Sequence, residues 1–473
     1  GFVESVPTHR SLLVLFDSSR LSFAAAAEAV LAHAADSLAP TPGRLHVIPV
    51  VYGGESGPDL ERVARLTGVS AAEIAARHAS VEYTARMLGF MPGFAYLGPL
   101  AEDLATPRLD TPRTRVPAGS VAIVGRQTAV YPAATPGGWN LIGRTSVRLF
   151  DPHAAAPCRI APGDRVRFEV ADALAGPDAA TVLPVASEAS LEVVSPGLLT
   201  SVQDAGRPGH RRYGVGTAGA ADGAALALAN AAVGNPLDAA ALECTVVGPR
   251  LRFQATVVFA IAGADLGAAL GGAPVPLGVA VRARPGDELA FTGRRDGCRA
   301  YVAFAGGLDV PVVLGSRATD LHAGFGGHLG RALRKGDRLA IAPGPTAEAH
   351  SCAPAPAIDS VTVRVVPGPQ ADAFAPDALP TLLSEEWRVG PDSDRAGLRL
   401  AGPALRHRAS AEIASDGLLP GCIQVPADGR PIVVLWDGPT TGGYAKLATI
   451  VRADLDRLAQ LLPGVGRVRF VIA

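Results

Sequence analysis

Lysine is nearly missing from this chain: among 473 residues it occurs only at Lys335 and Lys446, and arginine supplies the rest of the positive charge. The formal net charge is -1, charged residues make up 18%, and there is no basic run or acidic tail. That leaves no electrostatic footprint for nucleic acid or a membrane surface, and points to small molecules and protein partners. The five cysteines, Cys158, Cys244, Cys298, Cys352 and Cys422, are odd in number, far apart and never in a C-x-x-C pair. This argues against a disulfide framework and a zinc site, leads us to expect no metal, and fits a reducing cytoplasm. No unbroken apolar run is long enough to cross a bilayer, and Gly1-Phe2-Val3-Glu4 has neither the basic region nor the apolar core of a secretion signal. A G-x-x-x-x-G-K-[ST] phosphate loop is also absent.

Glycine and proline are plentiful, at 54 and 40, against 5% aromatic residues. Such a turn-rich chain suits many short strands, and its length suits three or four domains. Residues 116–145 have an echo at 418–450. Gly119 matches Gly421, Val121 matches Ile423, and Thr135-Pro136-Gly137-Gly138-Trp139 matches Thr440-Thr441-Gly442-Gly443-Tyr444. A Pro-Gly turn into a strand follows each: Pro162-Gly163 before Val166-Arg167-Phe168, and Pro463-Gly464 before Val468-Arg469-Phe470. The pattern predicts a duplicated β module. A glycine pair before an aromatic marks backbone that approaches something closely or adopts positive φ, beside a flat apolar wall. Two copies in matching places predict a cleft reached by both halves, with Trp139, Tyr444, Asp437, Gln424 and Lys446 among its walls.

The fold expected is mainly β, with a small N-terminal α/β domain followed by β-barrel domains. Residues 1–82 form the α/β unit: strands at 12–16 and 45–51, an Ala-rich helix between them, a helix capped by Asp59, and another opened by a Ser70–Glu73 capping box. Within it, His78 is expected at a surface or helix end. Residues 83–170 form a first β-barrel, 171–188 a linker, 189–346 a second barrel unit, 347–358 a second linker and 359–473 a last barrel. Arg113 sits between prolines on stiff backbone, so its fork is pre-aimed for a carboxylate or phosphate. Gln203, Asp204 and Arg207 form a polar group among turn residues. Lys446, two residues past Tyr444, is singled out by the scarcity of lysine; as a cleft-facing side chain its charge would matter to chemistry and little to stability.

From about Tyr52 to Phe168 the chain resembles the family first called allophanate hydrolase subunit 1, or KipI. Gly89-Phe90, Pro92-Gly93-Phe94, Tyr96-Leu97-Gly98, Thr111-Pro112-Arg113, Val116-Pro117-Ala118-Gly119, Gln127 and Pro136-Gly137-Gly138-Trp139 stand in family order. From Leu191 to Phe470 it resembles the companion subunit 2, or KipA, through Gln203-Asp204, Gly206-Arg207, Ser393-Asp394-Arg395, Ile423-Gln424-Val425-Pro426 and Thr440-Thr441-Gly442-Gly443-Tyr444. It departs where Gly438-Pro439 stand in place of a longer polar side chain.

The resemblance implies a fusion of two normally separate chains, cyclophilin-like barrels, and similarity to the carboxyltransferase domain of urea carboxylase. It further implies an ATP-dependent 5-oxoprolinase working beside a separate LamB/YcsF-type subunit. The alternatives are a biotin-dependent carboxyltransferase component and a non-catalytic regulator of a sensor kinase. With methionine only at Met87 and Met91, the Met-Lys-Met biotin attachment signal is missing, so either enzyme reading needs partners. The lactam of 5-oxoproline and the cyclic urea of biotin both present an N–C=O edge. A site for either uses backbone donors at the oxygen, an acceptor at the N–H and a cation for developing charge. The candidates are the glycine pairs Gly137-Gly138 and Gly442-Gly443 with Thr440 and Thr441, then Asp437 or Gln424, then Lys446 or Arg395.

Overall fold

The computed structural model describes residues 2–35, 43–176, 189–344 and 359–473. Seven strands close a first barrel: β1 Leu45–Tyr52, β2 Glu82–Leu88, β3 Ala95–Gly98, β4 Ser120–Val124, β5 Gln127–Val130, β6 Asn140–Arg144 and β7 Arg165–Val170. Seven close a second: β8 Ser360–Pro367, β9 Glu386–Val389, β10 Gly397–Ala401, β11 Cys422–Gln424, β12 Ile432–Val434, β13 Lys446–Ile450 and β14 Arg467–Ile472. Around the first barrel the order is β6-β1-β7-β2-β3-β5-β4, and around the second β13-β8-β14-β9-β10-β12-β11. Each strand of the second is the counterpart of the strand seven labels earlier, so the echo in the sequence is a duplication of topology.

The local reasons repeat as well. Alternation places Val361, Val363 and Val365 of β8, and Val468 and Phe470 of β14, inside one barrel; Val166 and Phe168 of β7 do the same in the other. In both barrels the last strand lies parallel to the first, pairing Arg165 with Leu45 and Arg467 with Ser360. A glycine at positive φ turns the chain into that closing strand each time, Gly163 at 91° and Gly464 at 82°. Beside each barrel lies a two-stranded arm containing the glycine pair: Arg113–Val116 with Thr135–Gly137, and Glu412–Gly417 with Thr441–Tyr444.

Three expectations need correction. The strand at 45–52 belongs to the barrel and not to a separate α/β unit, because its partners β6 and β7 lie about a hundred residues downstream. Upstream of it lie the hairpin Phe2–Pro7 with Leu12–Phe16 and the helix Phe23–Ala35. Residues 189–344 are not a closed barrel. They form a six-stranded and a five-stranded sheet around one core, with Leu191, Leu251 and Phe253 facing Val202, Phe259 and Phe304. Its outermost strands Ala273–Pro274 and Arg338–Leu339 are two residues long, too short to close a ladder. Finally, His78 is fully buried, bonded to the Tyr52 hydroxyl at 2.7 Å and to Thr128 at 2.8 Å, and burial lowers its pKa to about 3.

Ser70 caps its helix by accepting from Glu73 N, whereas the Asp59 carboxylate makes no cap and turns to Arg113 and Leu141 N. Most of 171–188 and all of 347–358, the expected linkers, lie outside the described residues. No helix among the described residues is long and apolar enough to cross a membrane.

Candidate functional site

The first barrel touches the arm of the second through the residues between and on β2 and β3. Phe90 N, in the turn between β2 and β3, donates to Thr441 Oγ1 at 2.9 Å, and a Cβ on Gly89 would collide with the same threonine. Tyr96 on β3 lies beside Thr441 and Ser415 of the opposite arm. Behind Tyr96 stands an aromatic wall: Trp139 lies 6.0 Å from Tyr96 and 5.7 Å from Phe94, and Phe94 lies 5.3 Å from Tyr131. Burial raises the pKa of Tyr96 and takes that of Tyr131 up to about 12, so both act as neutral donors at ordinary pH.

The glycine pairs have one constrained member each. A Cβ on Gly137 would stand 2.5 Å from the Tyr131 hydroxyl, and one on Gly442 would stand 2.7 Å from Gln424 Nε2. Gly138 and Gly443 meet nothing nearer than 3.5 Å. None of the four has positive φ. Close approach is therefore the reason for glycine here. Gln424, on β11, donates from Nε2 to Tyr444 O at 3.0 Å, and Tyr444 itself is 37% exposed at the rim. Thr440 and its counterpart Thr135 are both buried, and both hydroxyls lack a partner among the described residues. Trp139, Gly137, Thr441, Gly442 and Gln424, together with Tyr96, thus gather at the seam of the barrels.

Other predicted residues are held elsewhere. Lys446, expected in the cleft, is 3% exposed; its Nζ pairs with Asp416 and donates to Gly417 O at 3.1 Å. Asp416 also accepts from Gln370 Nε2 at 3.0 Å and from the Ser11 hydroxyl, which ties the N-terminal hairpin to the second barrel. Arg395 grips Asp437 with two bonds, 2.8 and 3.0 Å, pairs with Glu243 and donates to Gly219 O at 2.7 Å. Burial alone would lower the Arg395 pKa, but the two carboxylates outweigh it and hold the guanidinium charged. Both oxygens of Asp437 are thereby engaged, and the pair locks the second barrel to the middle unit. Arg113 bonds Asp59 at 2.7 Å.

Gln203, Asp204 and Arg207 stay in the middle unit. Gln203 bonds Ser201 and Thr319 O, while Asp204 accepts from Gly206 N at 2.7 Å, Ser316 Oγ at 2.6 Å and Arg317 N. Arg207 is fully buried, reaches Ala318 O and lies 4.7 Å over the Phe325 ring. The loop that follows reaches both barrels: Tyr213 O accepts from Gly93 N at 3.0 Å, Arg211 Nη1 donates to Leu418 O at 3.2 Å, and Ala218 N donates to Trp436 O at 3.3 Å. These residues build the junction between the units.

Sequence reasoning gave no place in the site to Tyr96, Asp416 or Glu243. Glu243 had a signal: a single acid inside the apolar strand Ala241–Thr245 requires a buried partner. Asp416 had none, since only the fold sets it beside Lys446.

A family model described as the carboxyltransferase domain, subdomain A and B, matches residues 213–472, and one described as subdomain C and D of the same domain matches 1–160. The chain is 38% identical over 271 residues to the C subunit of 5-oxoprolinase from Escherichia coli strain K12, covering 57% of this chain and 87% of that one. Against the B subunit of 5-oxoprolinase from Escherichia coli O157:H7 it is 60% identical over 121 residues, covering 26% of this chain and only 56% of that one. A crystal structure of the protein TTHA0988 matches with a TM-score of 0.88 at 36% identity, over 100% of this chain and 93% of that one. The chain therefore belongs to the carboxyltransferase-domain family, with counterparts of the B and C subunits of 5-oxoprolinase fused in one polypeptide.

Proposed function

We propose that this protein is the fused B and C component of an ATP-dependent 5-oxoprolinase, and that it opens 5-oxoproline to glutamate together with a separate LamB/YcsF-type subunit. One observation supports this most: stretches similar to two subunits of one named enzyme lie in one chain, and their barrels meet where the Phe90 turn of the first reaches Thr441 on the arm of the second. In this reading the flat lactam lies against Trp139 and Tyr96. Thr441 and the glycine backbone address its carbonyl, and Gln424 its N–H. ATP supplies the activation that an unreactive amide needs. This chain has no phosphate-loop motif, so the seam binds and orients the lactam while the complex completes the reaction.

The family description favours a second reading, transfer of a carboxyl group from biotin. The same wall and amide suit a cyclic urea, but biotin would have to arrive on a carrier, because neither lysine sits between methionines. Reconstitution separates the two. The chain alone should release negligible glutamate from 5-oxoproline, and with the LamB/YcsF-type subunit and ATP it should turn over. Full-rate turnover by the chain alone, or biotin-dependent carboxyl transfer in place of glutamate release, would contradict the proposal.

A further inference from the structure

A cavity of about 530 Å³ lies between the first barrel and the middle unit. Its volume falls within the range of small-molecule sites. One wall is apolar, with Met91, Pro92 and Phe150 from the barrel side and Phe325 facing them; the Phe150 and Phe325 rings are 5.5 Å apart. The other wall is the glycine-rich loop 323–330. Gly324, Gly326, Gly327, Leu329 and Gly330 all have positive φ, and for Leu329, at 57°, this conformation is costly.

The hydrogen bonds of this loop are uneven. Gly324 N donates to Asp320 O and Gly330 N to Gly326 O, both at 2.8 Å. Between them, the amides of Gly326, Gly327, His328 and Leu329 donate to no other described residue. Gly327 and His328 are buried. Buried amides without acceptors are rare, and a run of adjacent unpaired N–H groups is a place for an anion to accept. Arg338 lines the same cavity and brings positive charge to it, and Arg148, Asp151 and Asp309 line it too. The loop cannot simply relax, since a Cβ on Gly327 would collide with Thr319 Oγ1 and one on Gly326 with Ala318 O.

The geometry points to a binding site for a small molecule that carries an oxyanion, phosphate or carboxylate, on a flat apolar body. The amides 326–329 hold the anion, and Phe150 and Phe325 hold the body. The inference does not depend on which reaction the barrel seam performs.

Hydrogen exchange and calorimetry on the full chain test it, with ATP and benzoate as flat bodies bearing a phosphate or a carboxylate, and pyrophosphate and adenosine as the separate parts. ATP or benzoate should bind and slow exchange at 323–330, and whichever does so identifies the anion. If ATP is the ligand, it should bind at least tenfold tighter than adenosine, with pyrophosphate protecting the same amides more weakly. Arg338→Gln, on an exposed strand end, should weaken binding about threefold or more without lowering the melting temperature. The inference is overturned if neither ATP nor benzoate binds, if protection falls only outside 323–330, if adenosine equals ATP, or if Arg338→Gln leaves affinity unchanged.

Discussion

Replacing Arg395 with methionine should destabilise the protein by about 3–5 kcal/mol, because removing one partner of a buried ion pair leaves the other charges uncompensated. Here two carboxylates are left, Asp437 and Glu243, each with a side chain no more than 3% exposed. Arg299 Nε, 3.6 Å from Glu243, can answer only one of them. Arg395 and Asp437 belong to the second barrel, while Glu243 and Gly219 belong to the middle unit. The loss is therefore also a loss of coupling between units. Calorimetry should show the melting temperature falling by roughly 10 °C and the transition splitting in two. Arg395→Lys, which keeps the charge but not the planar fork, should recover only part of the loss. An unchanged single transition would mean that the units are joined by apolar contact alone.

Lys446→Met is expected to lower stability and turnover together. Had Lys446 faced the cleft, only turnover would fall. Instead the substitution strands Asp416, at a cost of about 1–3 kcal/mol, and loosens the arm that carries Thr441 and Gly442. Burial alone would raise the Asp416 carboxyl, but Lys446 and the Ser11 hydroxyl outweigh it and hold the group below its ordinary 3.8. A depressed carboxyl contributes stability that is present above the unfolded-state value and is lost as pH falls through the folded-state value. Unfolding free energies of the wild type should therefore drop on acidification below about pH 4, and those of Lys446→Met should drop less. Adding Asp416→Asn should restore much of the stability, because the stranded charge goes with it. Reduced turnover at unchanged melting temperature and unchanged acid sensitivity would return Lys446 to the chemistry.

The echo of Thr135 to Trp139 in Thr440 to Tyr444 was readable because duplication preserves spacing, and spacing is visible without a structure. The barrels followed from it. The membership of residues 45–52 in the first barrel was not readable, since a parallel strand pair across more than a hundred residues leaves no local pattern. The site divided in the same way. Trp139, Thr441, Gly442 and Gln424 stand in motifs that a sequence displays, whereas Asp437 and Arg395 were assigned to chemistry as an acceptor and a cation near a motif, and Lys446 because lysine is scarce. Which of them is paired depends on Glu243 and Asp416, and those partners come from other strands. Tyr96 stands in the motif Tyr96-Leu97-Gly98, and it became a candidate site residue only when the second barrel placed Thr441 and Ser415 beside it.

The central claim is that both barrels build one site. It is tested most directly by kcat/KM for glutamate release in the reconstituted complex, measured for Trp139→Ala on the first barrel, Gln424→Ala on the second, and the two combined. Each single substitution should cost about tenfold or more, and the double should cost less than the product of the singles, with a coupling of about 0.5–3 kcal/mol. Effects that multiply independently, or a single substitution that leaves kcat/KM unchanged, would place the site within one barrel and contradict the account.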